Sequence, residues 1–124
     1  MSDLDDHDLM SLYNQFVNWT GYAGYQVAEA EIEERQAERK LKRVEDTYTV
    51  QYKSEKTVAA TKARVALEPE FQAAEDVVDV AFARKKLLGS LYTDLERKAQ
   101  AVSRELTRRL ARKDIEHRNE KYNA

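Results

Sequence analysis

The chain has 124 residues, of which 35% are charged, with a formal net charge of −2, no cysteine, three glycines and one proline. A chain of this length forms one domain at most, and so few turn-forming residues disfavour a sheet protein. The lack of cysteine excludes a disulfide framework and a thiolate zinc site. No apolar run approaches the roughly 20 residues that span a bilayer, and the acidic N-terminus is unlike a signal peptide. We therefore expect a single helical domain, without a membrane partner, in the cytoplasm.

The first predicted helix covers about residues 6–50 and begins near Asp6–Leu9, where early acidic residues suit the positive end of the helix dipole. Its core positions, spaced alternately three and four apart, lie on one helical face. This series, the α1 seam, is Leu9, Tyr13, Phe16, Thr20, Ala23, Val27, Ala30, Glu34, Ala37, Leu41 and Val44. The segment 46–52 is β-branched and aromatic, so the helix either ends there or continues through it.

Two further helices are predicted. A short one covers about residues 54–66, with Ser54 or Thr57 as its N-cap. Pro69 suits the first turn of a third helix, about residues 69–118, because its missing N–H is not needed there. Gly89 lies inside this helix and costs about 1 kcal/mol relative to Ala without forbidding it.

The third helix carries a second series with the same spacing, about 50 Å long. This α3 seam is Phe71, Ala74, Val78, Ala81, Lys85, Leu88, Tyr92, Leu95, Ala99, Val102 and Leu106. A rod with one narrow apolar face is unstable alone and must pack against other helices. The predicted fold is all-α: a long antiparallel helical hairpin with a short connecting helix, coiled-coil-like, assembling into a homo-oligomer.

Lys85 is the one residue out of character in the α3 seam, and Lys86 follows it. A charged residue at a core position fixes register or oligomer size at a cost in stability. The alternative is that Lys85 lines a polar channel. We favour the register role.

Charge is distributed in blocks along the chain. Residues 1–34 carry −8, residues 35–64 carry +5, residues 65–83 carry −5 and residues 84–124 carry +6. Blocks of opposite sign either pair within or between protomers, or leave basic surface for an anionic polymer. Pairing is the interpretation that we favour.

Catalytic chemistry finds little support in the sequence. His7 and His117 lie near opposite ends of the chain, and neither has a partner at metal-ligand spacing. A Ser–His nucleophile would depend on one of these two residues. We therefore expect no enzyme activity, no metal and no cofactor.

Aromatic residues recur at every third position from Tyr13 to Tyr25. Each step of three turns about −60° around a helix, so these rings cross several faces and some are exposed in a monomer. They would form a protein interface or a stacking platform for bases, and the surrounding acidic block favours the former. The predicted oligomer interface comprises Tyr13, Phe16, Trp19, Leu88, Tyr92 and Leu95.

Arg97, Arg104, Arg108 and Arg112 fall within about 80° of one another on the third helix, opposite the α3 seam. An outward arginine row suits phosphate contacts, whereas the alternative is a solvated face that pairs with acids of a neighbouring subunit. A second basic set has tyrosines nearby and comprises Lys53, Lys56, Lys62 and Arg64.

The layout resembles the UvsY-type recombination mediators of phages, which are small, all-helical and cysteine-poor, with an aromatic first helix and a long apolar C-terminal helix. The resemblance is carried by residues 13–19, 54–64, 85–98 and 102–106. It implies a ring-forming oligomer that binds single-stranded DNA, helps remove single-strand-binding protein and loads a RecA-like recombinase, in the bacterial host cytoplasm.

The resemblance places strand-binding cations at Lys62, Arg64, Lys85, Lys86, Arg97 and Arg104, to which helical geometry adds Arg108 and Arg112. The acidic first 34 residues depart from a dedicated DNA binder, so binding requires the charge blocks to segregate in space. The alternative is a helical structural or adaptor protein, such as a phage assembly factor or an inhibitor of a host protein, with no nucleic-acid role.

Overall fold

The computed structural model describes residues 3–123, and these residues form three helices without a strand. The helices are α1, Asp6–Gln51; α2, Val58–Ala66; and α3, Pro69–Asn123. The predicted all-α class is confirmed. Within residues 3–123, none of the three helices contains a stretch with the length and hydropathy that a bilayer span requires.

α1 begins where the sequence indicates. The Asp5 carboxylate accepts a 2.7 Å hydrogen bond from the Asp8 backbone N–H, and Asp6 and Asp8 lie in the first turn. The Asp5 carboxylate provides a hydrogen-bond acceptor for a free backbone N–H of the first turn. The negative charges in the first turn interact favourably with the positive end of the helix dipole.

The uncertain segment 46–52 continues α1 as far as Gln51. The hydroxyls of Thr47 and Thr49 donate to the carbonyls of Arg43 and Glu45, at 2.8 and 2.7 Å. Bonding of this kind lets a threonine keep its polar group satisfied on the helix surface, so β-branching does not end the helix here.

Of the two candidate caps for α2, Thr57 serves: its backbone is extended and its hydroxyl accepts from the Ala60 N–H at 3.0 Å. Pro69 is the first residue of α3, as expected from its missing donor. α3 extends past the predicted end near 118 to Asn123, and every residue from 111 to 122 is exposed.

The described chain divides into two compact units, and both long helices contribute to each. Unit 1 contains residues up to Gly24 and from Ser90 onward, and unit 2 contains Tyr25–Gly89. In unit 1 the start of α1 lies against the end of α3, since Arg109 pairs with Asp6 at 3.1 Å. A Cβ at Gly24 would lie only 3.3 Å from the Tyr92 ring, so the glycine permits a close helix approach. The two helices are therefore antiparallel in this unit.

Unit 2 is antiparallel as well. Glu33 of α1 pairs with Arg84 of α3 at 2.6 Å, and farther along α1 the Tyr48 hydroxyl donates to Glu70 at 2.8 Å. Tyr52 also donates to Glu68. The tyrosines hold the end of α1 against the segment that opens α3. The hydrogen bond to Glu70 raises the pKa of Tyr48 to about 12.

Both predicted seams form the interior. Every position of the α1 seam and of the α3 seam is buried or half-buried. Leu9 is fully covered and Val102 is 2% exposed. The core comes from periodicity of three and four, as the sequence predicts.

Candidate nucleic-acid interface

The cations at the end of α3 divide into an inward and an outward set. The inward set is Arg109 and Lys113, which both pair with Asp6 across the helices. Arg109 also donates to the Leu4 carbonyl at 2.7 Å and to Glu105 at 3.1 Å. The hydrogen bonds that Lys113 and Arg109 donate to Asp6 lower the pKa of this carboxyl, and the bond from Lys113 is the larger cause. This set holds the helix ends together and is not offered to a ligand.

Sequence reasoning missed Arg109 and Lys113 as structural residues. A signal existed for one contact, because Glu105 and Arg109 are four apart on a helix. The contacts with Asp6 join residues more than 100 positions apart, at 103 residues for Arg109 and 107 for Lys113. Only the antiparallel register reveals them.

The outward set is the predicted arginine row. Arg108 is already engaged: its guanidinium donates to both carboxylate oxygens of Glu105, at 3.0 and 2.8 Å. Glu105 is largely covered, with 13% of its side chain exposed. Its pKa is lowered to about 2, first by the hydrogen bond from Arg108 and then by that from Arg109. Arg108 is therefore the weakest member of the row as a free phosphate donor.

Arg97, Arg104 and Arg112 are exposed, and within residues 3–123 none of them forms an ion pair with a carboxylate. Arg97 and Arg112 are 15 positions apart on one helix, or about 22 Å along its axis. A guanidinium presents a fixed fork of donors that matches phosphate oxygens. These three residues, called the open arginines below, form the candidate site.

A groove in unit 1 has one of the open arginines, Arg104, in its lining. Its volume is about 390 Å³, and Tyr13, Val17 and Ala99 form its apolar part. Arg104 lies at its polar edge together with Glu96. The groove places apolar surface next to one of the guanidinium groups.

Two predicted cations of unit 2 lie on α2. Lys62 is exposed, whereas Arg64 pairs with Glu55 at 2.7 Å and stacks over the Tyr52 ring at 4.5 Å. The two residues are two apart and project from opposite sides of the helix. They do not form one basic surface.

The remaining pair of predicted cations is on α3. Lys85 is half-buried and forms a 2.5 Å ion pair with Glu34, which raises the pKa of the lysine. Lys85 is therefore already paired with a carboxylate between α1 and α3, and we do not include it among the phosphate-binding residues. Lys86 is exposed, with its ammonium 5.3 Å from the centre of the Phe82 ring.

Sequence reasoning also passed over a basic surface on α1. Its four cations, all exposed, surround a shallow depression with Glu38 and are Arg35, Arg39, Lys42 and Arg43. Lys42 pairs with Asp46 at 3.6 Å. Residues 35 to 43 stand out in the charge count, so a helical projection of that block would have found the surface.

The predicted oligomer interface divides between seam and surface. Five of its six members are half-buried at seam positions: Tyr13, Phe16, Leu88, Tyr92 and Leu95. Trp19 is 59% exposed and meets Tyr22, equally exposed, edge to face at a centroid distance of 6.2 Å. Trp19 and Tyr22 therefore form an exposed aromatic pair in unit 1, and the assembly role of all six predicted interface residues stays a prediction.

Among the described residues, no group of three or more His, Asp or Glu side chains is placed to hold a metal ion. Comparisons with known proteins found no matching family model, curated protein or solved structure. The resemblance to UvsY-type mediators accordingly stays a prediction.

Proposed function

We propose that this protein binds single-stranded DNA along the outward face of α3 and acts as an accessory factor for homologous recombination. The observation that supports the proposal is the set of three open arginines on one helical face, beside cations that are already paired with carboxylates. Paired cations gain little from a phosphate, whereas the open arginines would release counterions on binding one.

The recombination role rests on the resemblance. An organised strand would be presented to a RecA-like recombinase while single-strand-binding protein is removed. The protein contributes positioning in this scheme and no catalytic step of its own.

Part of the acidic start of the chain is neutralised within unit 1. Asp6 is neutralised by Arg109 and Lys113, and Glu105 by Arg108 and Arg109. The charge of Asp6 is therefore compensated where the start of α1 meets α3, and that of Glu105 beside Arg104, so these two carboxylates repel a phosphate less.

The experiment is a salt titration of affinity for a labelled single-stranded oligonucleotide. Three phosphate contacts predict a slope of log K against log salt of about −2 per bound protomer, at about −0.7 for each phosphate neutralised. Acceleration of recombinase filament assembly on strand coated with single-strand-binding protein tests the accessory role separately.

The rival proposal is a helical adaptor without a nucleic-acid role, favoured by the exposed Trp19–Tyr22 pair. Aromatic side chains of this kind are enriched at protein interfaces. The adaptor predicts no strand binding even at low salt. Binding that is independent of salt would contradict the phosphate contacts on which our proposal depends.

A further inference from the structure

The groove in unit 1 lies between α1 and α3, and both helices contribute to its lining. Three of its lining residues are small and half-buried: Thr20, Ala99 and Ser103. Because side chains of this size do not fill the space between the two helices, a groove of about 390 Å³ is left. This volume falls within the range of roughly 300–1,000 Å³ that is typical of small-molecule sites. The groove is therefore large enough for a planar ring such as a nucleobase.

One wall of the groove contains an aromatic ring. Tyr13 is half-buried at a position of the α1 seam, and Val17, one turn later on the same helix, is 44% exposed. Proteins hold the bases of single strands by stacking them on aromatic side chains, and such stacking tolerates any base. The Tyr13 wall thus has the chemistry that an unpaired base requires.

The polar part of the groove carries two opposite charges on α3. Arg104 is an open arginine, and Glu96, eight positions earlier, is half-buried. Within residues 3–123, Glu96 forms no ion pair with a cation. A hydrogen bond from the Tyr92 hydroxyl to Glu96 raises the pKa of that tyrosine. Because a carboxylate has two oxygens and about four lone-pair sites, Glu96 can accept a further N–H group.

We propose that one nucleobase of the bound strand occupies this groove, with its phosphate on Arg104 and its exocyclic amino group donating to Glu96. The inference rests on the proposed function and adds to it a preference for bases that carry an amino group. Arg104 and Glu96 are about 12 Å apart along the axis of α3, which exceeds the Debye length of about 8 Å at physiological salt. Glu96 therefore repels the phosphate little while it accepts from the base.

An abasic strand tests the contribution of the base, because it keeps every phosphate of an oligo-dC strand of equal length. We expect wild type to bind the abasic strand at least about fivefold more weakly, as the loss of one stacked base predicts. The slope of log K against log salt should be the same for both strands. Equal affinity for the two strands would overturn the inference and leave the phosphate contacts in place. Absence of binding to either strand at low salt would overturn the proposed function as well.

Tyr13→Leu removes the ring from the groove and should bring the affinities for the two strands together. Phe16→Leu is the matched control, since Phe16 is also a half-buried aromatic residue of the α1 seam but is not part of the groove lining. Phe16→Leu should keep the full difference between the strands, and so should Tyr13→Phe, which retains the ring. A difference that Tyr13→Leu keeps in full, or that Phe16→Leu loses equally, would mean that the base is not held in this groove.

Base preference gives an independent readout at neutral pH. Cytosine presents an amino donor at N4, whereas thymine presents the acceptor O4. Oligo-dC should therefore bind between about twofold and tenfold more tightly than oligo-dT, as expected for one hydrogen bond. Equal affinity of wild type for these two strands would contradict the role of Glu96.

Glu96→Gln should remove the preference for oligo-dC, because the amide can donate to O4 of thymine as well as accept from N4 of cytosine. Asp94→Asn is the control. It makes the same charge change on α3, but Asp94 is paired with Lys98 at 2.9 Å and lies outside the groove lining. Asp94→Asn should keep the preference. A preference that Glu96→Gln retains in full, or that both variants lose equally, would overturn the assignment of the amino group to Glu96.

Discussion

Glu34 and Lys85 form a 2.5 Å ion pair across the helices of unit 2, and each is the only charged residue in its seam. A charged residue at one core position of α1 thus faces a residue of opposite charge at a core position of α3. A shift of one helix along the other would separate the pair and leave a half-buried charge without its counter-ion. We therefore expect the pair to specify register, the role favoured from the sequence for Lys85, and this role stays a prediction.

Removal of one member of this pair should destabilise the fold. We expect Lys85→Met to lower the urea midpoint because Glu34 would be left half-buried without a cation. The double change Glu34→Leu with Lys85→Leu should recover much of the loss, since an apolar pair suits a core position. Arg84→Met is the control: both members of its pair with Glu33 are 46% exposed. A midpoint that falls no further for Lys85→Met than for Arg84→Met would contradict the register role.

The glycines of α1 make a second test of the packing. No heavy atom outside the local helix lies within 4 Å of a Cβ built at Gly21, so Gly21→Ala should raise the free energy of unfolding by about 1 kcal/mol. Gly24→Ala should gain less, because its Cβ would press on the Tyr92 ring at 3.3 Å. Denaturant unfolding compares the two. Equal gains would show that Tyr92 does not contact this turn.

The α3 seam can be tested against its own neighbouring surface. Leu95→Asp should lower the free energy of unfolding by about 3 kcal/mol, since it places an unpaired carboxylate among apolar side chains. Leu91→Asp is the matched control, one turn away on the same helix and 48% exposed, and should cost less than about 1 kcal/mol. Similar melting of the two variants would mean that the seam lies elsewhere on α3.

Acid should weaken unit 1 through Glu105. The pKa of Glu105 is lowered from 4.5 to about 2, so the stability that its ionised form contributes is complete above pH 4.5. It is lost as the pH falls toward about 2, where the carboxylate binds a proton and releases Arg108 and Arg109. Glu105→Gln should melt lower at neutral pH and show a flatter dependence on acid than wild type. Thermal melting between pH 2 and pH 5 measures this, and parallel curves for the two proteins would exclude the role.

Much of the fold follows from local patterns in the sequence, because helices are defined by neighbours three and four apart. The seams, the start of α1 and the position of Pro69 depend on such neighbours and are where the sequence indicates. The sequence offers two N-cap residues for α2, Ser54 and Thr57. The backbone conformation of the folded chain determines that Thr57 is the one used. α1 continues through Thr47 and Thr49, whose hydroxyls donate hydrogen bonds to backbone carbonyls one turn earlier. Helix propensities of single residues do not describe such contacts.

The candidate site was less accessible to sequence reasoning. A helical projection of the sequence identifies the arginine row. Glu105 and Arg108 are three residues apart, so their side chains lie on neighbouring positions of the helix and form an ion pair. Contacts between α1 and α3 are a different matter. The ion pairs of Asp6 with Arg109 and of Glu34 with Lys85 depend on the antiparallel register of the two helices. No local sequence pattern specifies that register.

We propose that the open arginines hold single-stranded DNA. The most direct test is the salt dependence of strand affinity for wild type and for the triple variant Arg97→Gln, Arg104→Gln and Arg112→Gln. Lys98→Gln is the control, because Lys98 lies on the same helix but pairs with Asp94 at 2.9 Å. We predict a slope of about −2 for wild type and Lys98→Gln, and a slope near zero with weak binding for the triple variant. An unchanged slope in the triple variant, or no binding by wild type at the lowest salt, would mean that these arginines do not hold the strand.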